Sequence, residues 1–158
     1  MFAKEVVYDC YDFDCTQPKE EAESAEYSAY RFYLNQKHIC YREAKITPTK
    51  TGQFVTLWKR NIFGIIEPFD SSDDIDFVVI GVTNDFQFGQ FIFPKSVLLE
   101  KGIFSTKTKE GKRAIRVYPP WDETTNAQAQ KTQQWQLDYY FEIAPDVNFE
   151  RFEELFLL

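Results

Sequence analysis

Histidine occurs once in this sequence of 158 residues, at His38, and cysteine only at Cys10, Cys15 and Cys40. Zinc and non-haem iron centres draw on imidazole and thiolate, so any such site here would have to be mostly carboxylate. No two cysteines form a CxxC pair. Their odd number argues for free thiols in a reducing compartment over a disulfide frame or a zinc site. No apolar run approaches the roughly 20 residues of a membrane helix, and the opening MFAKEVVYDC has no long hydrophobic export segment. The protein is therefore expected in the cytoplasm, away from membranes. Dedicated nucleotide binding has no support either, because neither a GxxxxGKS/T loop nor a GxGxxG opening a helix is present. His38 and Cys40 stand two apart on an expected strand and share a face, as in a Cys–His dyad. Two strand side chains with no joint role is the better reading.

What the chain does have is apolar and aromatic mass. Hydrophobic residues make up 44% and aromatics 18%, with 16 Phe, enough to set disorder aside and to fill a core within one expected domain, 1–158. The rings imply either a phenylalanine-rich core or a surface that stacks on flat ligands.

The net charge of −7 is unevenly spread. Residues 37–60 carry 6 basic residues and 1 acid, 61–85 carry 6 acids and no base, and 86–116 carry 7 basic residues and 2 acids. Two basic blocks thus bracket an acidic one, while both ends of the chain are acidic. The local field, more than the total, decides whether a phosphate backbone is attracted.

Strand signals begin at Tyr27. YSAYRFYLNQKHICYREAKI reads as a hairpin with strands near 27–34 and 38–46, turning at Asn35-Gln36-Lys37. QFVTLWKR (Gln53 to Arg60) is expected as a further strand and 61–74 as an irregular acidic loop. IDFVVIGVTN (Ile75 to Asn84) is a continuous β-branched run suited to burial on both faces, and QFIFP its returning partner. Pro94 is expected in the first turn of a helix that Gly102 ends. AIRVYPP reads as a short strand, TTNAQAQKTQQWQLDYYFEI as a long helix, and NFERFEELFLL as an amphipathic last helix. On the long helix, Leu137 and Phe141 share one side, and Gln128, Lys131 and Trp135 the other. The fold class expected is α/β (α+β): a central mixed β-sheet flanked by helices.

EPFDSSDDIDFVVI (Glu67 to Ile80) places five acids in ten residues ahead of a strand. An EF-hand starting at Asp70 is rejected, since its sixth position is not glycine and its twelfth is Gly81. A magnesium-dependent nuclease of the PD-(D/E)xK type needs an acid near one strand start. It also needs a second acid two residues before a lysine on the neighbouring strand. Asp74 or Asp76 supplies the first and Lys95 the lysine, but Phe93 stands where the second acid belongs, and Gln90 is a neutral amide. The architecture matches and the chemistry does not.

Together AKITPTKTGQFVTLWKR, EPFDSSDDIDFVVI, GQFIFPKSVLLEKG, EGKRAIRVYPPWD and QAQKTQQWQLDYYFEI resemble the MepB-like family of small bacterial proteins, one of them encoded beside a multidrug efflux pump. The resemblance runs over 26–143, leaving 1–25 and 144–158 outside. It implies a PD-(D/E)xK nuclease-like fold without its catalytic acids, in a protein that binds nucleic acid.

The leading expectation is a non-catalytic nucleic-acid-binding protein with no metal and no cofactor. Lys45, Lys50, Lys59 and Arg60 would meet phosphates from one side, and Lys95, Lys112, Arg113 and Arg116 from the other. Lys131 would join them, with Trp58, Trp121 and Trp135 stacking on unpaired bases, which favours RNA or single-stranded DNA over duplex. The rival is a divergent Mg²⁺ or Mn²⁺ nuclease using Asp74, Asp76 and Lys95; a third reading is a drug-responsive protein-interaction module.

Overall fold

The computed structural model describes residues 14–157. Cys10 and the first part of the acidic N-terminal segment lie outside the described residues. A six-stranded mixed sheet forms the centre. Its strands in chain order are β1 (Lys19–Glu20), β2 (Tyr30–Leu34), β3 (Lys37–Glu43), β8 (Phe77–Thr83), β9 (Phe88–Pro94) and β11 (Tyr140–Glu142). They lie side by side in that same order. The stretch between β3 and β8 holds β4 (Lys45–Thr47), β5 (Lys50–Thr56), β6 (Trp58–Arg60) and β7 (Ile66–Pro68). β10 (Ala114–Val117) joins β5 and β4 in a three-stranded sheet, and β6 and β7 pair as a hairpin.

The hairpin β2–β3 turns on Asn35 and Gln36, whose φ angles of 46° and 68° suit the right-handed twist of the strands they join. β3 and β8 are parallel, so the chain between them must cross over, and the crossover carries the small sheet onto one face. β8 is buried from Phe77 to Val82, as its unbroken apolar run implies. Alternation then divides its side chains. Val78, Ile80 and Val82 face a core shared with Phe91, Phe93, the small sheet and Leu98 of α1 (Lys95–Glu100). Phe77 and Val79 face a second core closed by Phe152, Leu155 and Phe156 of α3 (Phe149–Leu157). The α+β class with a central mixed sheet flanked by helices is as expected.

Several boundaries differ from the sequence expectation: the first strand of the hairpin begins at Tyr30, and the strand expected near 38–46 is split at Ala44 into β3 and β4. Gln53 to Arg60 is two strands, broken at Leu57, whose N–H donates to the carbonyl of Arg113. The acidic loop contains β7. The long helix, α2, covers only Ala127–Leu137, with the Asn126 side chain accepting from the Ala129 N–H as its cap. Tyr140–Glu142 instead pairs antiparallel with β9. The alternating register of Tyr-Phe-Glu against Phe91-Gln90-Gly89 overrides helical periodicity there, so Phe141 belongs to the α3 side of the sheet and not to the helix of Leu137.

Candidate functional site

The acid-rich stretch is committed to holding the structure together. Asp76 is a backbone clip: its N–H donates to the His38 carbonyl at 2.9 Å and its carboxylate accepts the His38 N–H at 2.8 Å. Asp74 lies on the surface, its Oδ2 3.3 Å from His38 Nδ1. Lys95 Nζ donates to the Asp73 carbonyl at 2.5 Å. Asp70 and Asp73 accept from Lys59 Nζ at 2.9 and 2.7 Å, with Glu67 at 3.7 Å. Burial pushes the Asp70 carboxyl up, but bonds from Ser72 and Lys59 outweigh it and hold the group at about 2. Burial works against the Lys59 ammonium too, yet Asp73 and Asp70 raise its pKa overall.

Phe93 and Gln90 do not share a face. β9 alternates, so Phe93 enters the α2-side core, where its ring lies 5.5 Å from Phe91 and 5.4 Å from Trp135. Gln90 has the parity of Ile92 and turns to the opposite face. In register Gln90 stands opposite Gly81 and Pro94 opposite Phe77, so Gln90 lies four positions along β9 from the end of the sheet next to Asp76. Among the described residues no group of three His, Cys, Asp or Glu side chains is placed to hold a metal. The residues around Asp76 do not fit Mg²⁺ or Mn²⁺, because Phe93 offers no donor atom and Lys59 already occupies the nearby carboxylates. Cys40 is fully buried and its thiol is pushed up by burial, while the His38 ring stacks on Tyr33 at 4.6 Å.

The predicted cations separate into two sets. Lys50, Lys112 and Arg116 line one cavity of about 450 Å³ along β10 and α2, together with Trp135 and with Lys101, which the sequence reading did not nominate. Its position after α1 and before the Gly102 cap was the available signal, since a lysine ending a helix there projects beside whatever the helix packs on. Among the described residues no Asp or Glu contributes to the lining. The Arg116 guanidinium is held by neutral groups, Thr47 Oγ1 at 2.9 Å and the carbonyls of Thr51 and Gly52 at 3.4 Å, and lies over the Phe54 ring. Lys101 Nζ sits 5.4 Å from the centre of the Trp135 ring. Trp135 thus has one side in the core against Phe93 and another on the cavity.

The remaining candidates lie elsewhere. Arg60 is 3.7 Å from Glu23 and covers Trp58, Arg113 pairs with Glu110 at 2.9 Å, and Lys59 is held as above. Lys45 lies over Tyr27, beside Phe54 on β5. Lys131 is exposed on α2 outside the cavity, and Trp121 is half-buried, edge-on to Tyr140. The two basic blocks of the sequence therefore meet through Lys50 on one side and Lys101, Lys112 and Arg116 on the other.

Fold and site define an α+β protein in which the small sheet, α2 and the segment after α1 line a cationic cavity. A sequence model of the MepB-like family matches residues 21–142, and the chain belongs to that family. A solved structure described as the crystal structure of MepB superposes with a TM-score of 0.82 at 33% identity, covering 89% of this chain and 93% of that one. Among curated proteins no match was found.

Proposed function

We propose that the protein binds nucleic acid, RNA or single-stranded DNA ahead of duplex, in the cavity along β10 and α2, and does so without cleaving it. The observation that carries this reading is the lining itself: Lys50, Lys101, Lys112 and Arg116 converge on one cavity to which no carboxylate among the described residues contributes. Cations unpaired with acids attract phosphate, and their binding releases counterions. Trp135 and Tyr118 add ring surface at the same place, which unstacked bases use and a closed duplex does not present. The non-catalytic part rests on Phe93, which supplies core packing where a PD-(D/E)xK scaffold would require a second carboxylate.

The test is a salt titration of binding to labelled single-stranded RNA, single-stranded DNA and duplex. The expected affinity falls linearly in log–log form, with a slope of about −3 if four phosphates are neutralised, from roughly −0.7 per contact on single strands. Arg116→Gln and Lys112→Gln each flatten the slope. Salt-independent binding, or cleavage in Mn²⁺ that Asp76→Ala abolishes, would overturn the proposal.

A further inference from the structure

We infer that the cavity receives the phosphorylated end of a strand, or the equivalent phosphate group of a free nucleotide, in preference to an internal stretch of backbone. The inference rests on the nucleic-acid reading and narrows it to a ligand class.

Charge density carries the argument. A strand passing over a surface presents one negative charge per nucleotide, and proteins that follow such strands set cations and ring platforms along an extended groove. Here four cations gather around a cavity of about 450 Å³, near the lower end of the range for small-molecule sites, roughly 300–1,000 Å³. One phosphodiester in that space would leave most of the positive charge unanswered. A phosphomonoester carries about −1.5 to −2 at pH 7, and di- and triphosphates carry more on the same footprint.

On the β6 side and just before β10 the positive track is interrupted. Leaving the cavity along β5 and into β6, Lys59 is held by Glu67, Asp70 and Asp73 and Arg60 lies 3.7 Å from Glu23; Arg113, just before β10, pairs with Glu110, while Lys45 and Lys131 stay exposed outside the lining. Within the cavity, no carboxylate among the described residues is paired with Lys50, Lys101, Lys112 or Arg116. Gln128 and Thr132, one turn apart on α2, supply hydrogen-bonding groups on one wall, and Trp135 supplies the ring for a sugar or base edge. The acidic stretch thus ends the cationic surface on the β6 side of a nucleotide-sized cavity.

The experiment compares one short RNA in four forms: hydroxyl at both ends, 5′-monophosphate, 5′-triphosphate and 3′-phosphate. Affinities are read by fluorescence anisotropy at one low salt concentration. Free nucleoside triphosphate and inorganic pyrophosphate serve as competitors. A phosphorylated end is expected to tighten binding by about tenfold. The monophosphate advantage should shrink as pH falls through about 6, where the second proton returns. Lys112→Gln, at an exposed position, and Arg116→Gln should reduce that ratio, with thermal melts confirming that both variants fold. Equal affinity for all four forms would overturn the inference and leave the nucleic-acid proposal standing. Binding of free nucleotide with no retention of any strand would do the reverse. No binding to strand, nucleotide or pyrophosphate would sink both.

Discussion

Gln136 grips the strand that carries Arg116. Its side-chain amide donates to the Arg116 carbonyl at 3.0 Å and its Oε1 accepts the Tyr118 N–H at 2.9 Å, so one fully buried glutamine acts as the missing neighbour at the open edge of β10. The clamp fixes α2 against the small sheet and thereby sets the width of the cavity between them. Gln136→Ala leaves two buried backbone groups without partners and should cost about 1–3 kcal/mol. Urea denaturation gives the loss, and faster hydrogen exchange at the Tyr118 amide locates it.

Acid should weaken the Lys59 cluster in a defined window. A carboxyl whose folded pKa lies below its unfolded value stabilises the fold above that unfolded value and loses the contribution as pH falls. For Asp70 the window runs from its ordinary 3.8 down to about 2. Lys59→Met leaves three carboxylates without their shared cation, costs about 1–3 kcal/mol at pH 7, and should make the Asp70 carboxyl easier to protonate. The wild type therefore loses stability between pH 4 and pH 2 by more than the variant does, as urea midpoints at several pH values will show.

Restoring the nuclease spacing should not restore a metal site. Phe93→Asp buries a carboxylate among Phe91, Trp135 and Tyr139, so it should unfold the protein or leave it strongly destabilised. Phe93→Ala alone should cost about 3–5 kcal/mol. A melting temperature raised by Mn²⁺ in Phe93→Asp, and not in the wild type, would contradict this account.

Gly89 and Tyr140 are coupled by space. A Cβ at Gly89 would overlap the Tyr140 ring and hydroxyl, so Gly89→Ala must displace the Tyr140 side chain. The double variant with Tyr140→Phe should recover part of the loss, and a double-mutant cycle on thermal melts measures the coupling.

Cations with equal claims in sequence should separate in binding. Lys101→Gln is expected to lower the salt slope for single-stranded RNA by about 0.7. Arg113→Gln, whose charge is already shared with Glu110, should change it little.

Much of the fold was legible because its signals are local. Two positive-φ residues at Asn35-Gln36, the β-branched run of β8, and Gly102 after α1 each specify a conformation within a few residues. The end of α2 was not legible. Tyr140 to Glu142 satisfies either period, and only the unpaired edge of β9 selects the strand. At the candidate site, the basic blocks could be counted from the chain, but Lys50 and Lys101 share no local pattern.

The sequence by itself therefore determined the composition of the field: two basic blocks, an acidic one between them, and a phenylalanine in place of an acid before Lys95. Tertiary structure decided which charges remain available. Folding brings the acidic block against Lys59 and the His38 backbone, where short hydrogen bonds repay desolvation, and it brings Lys50 beside Lys101, Lys112 and Arg116, where no carboxylate of the described residues lines the cavity. Pairing depends on distances of a few ångströms between residues far apart in the chain, and no count along the sequence contains them.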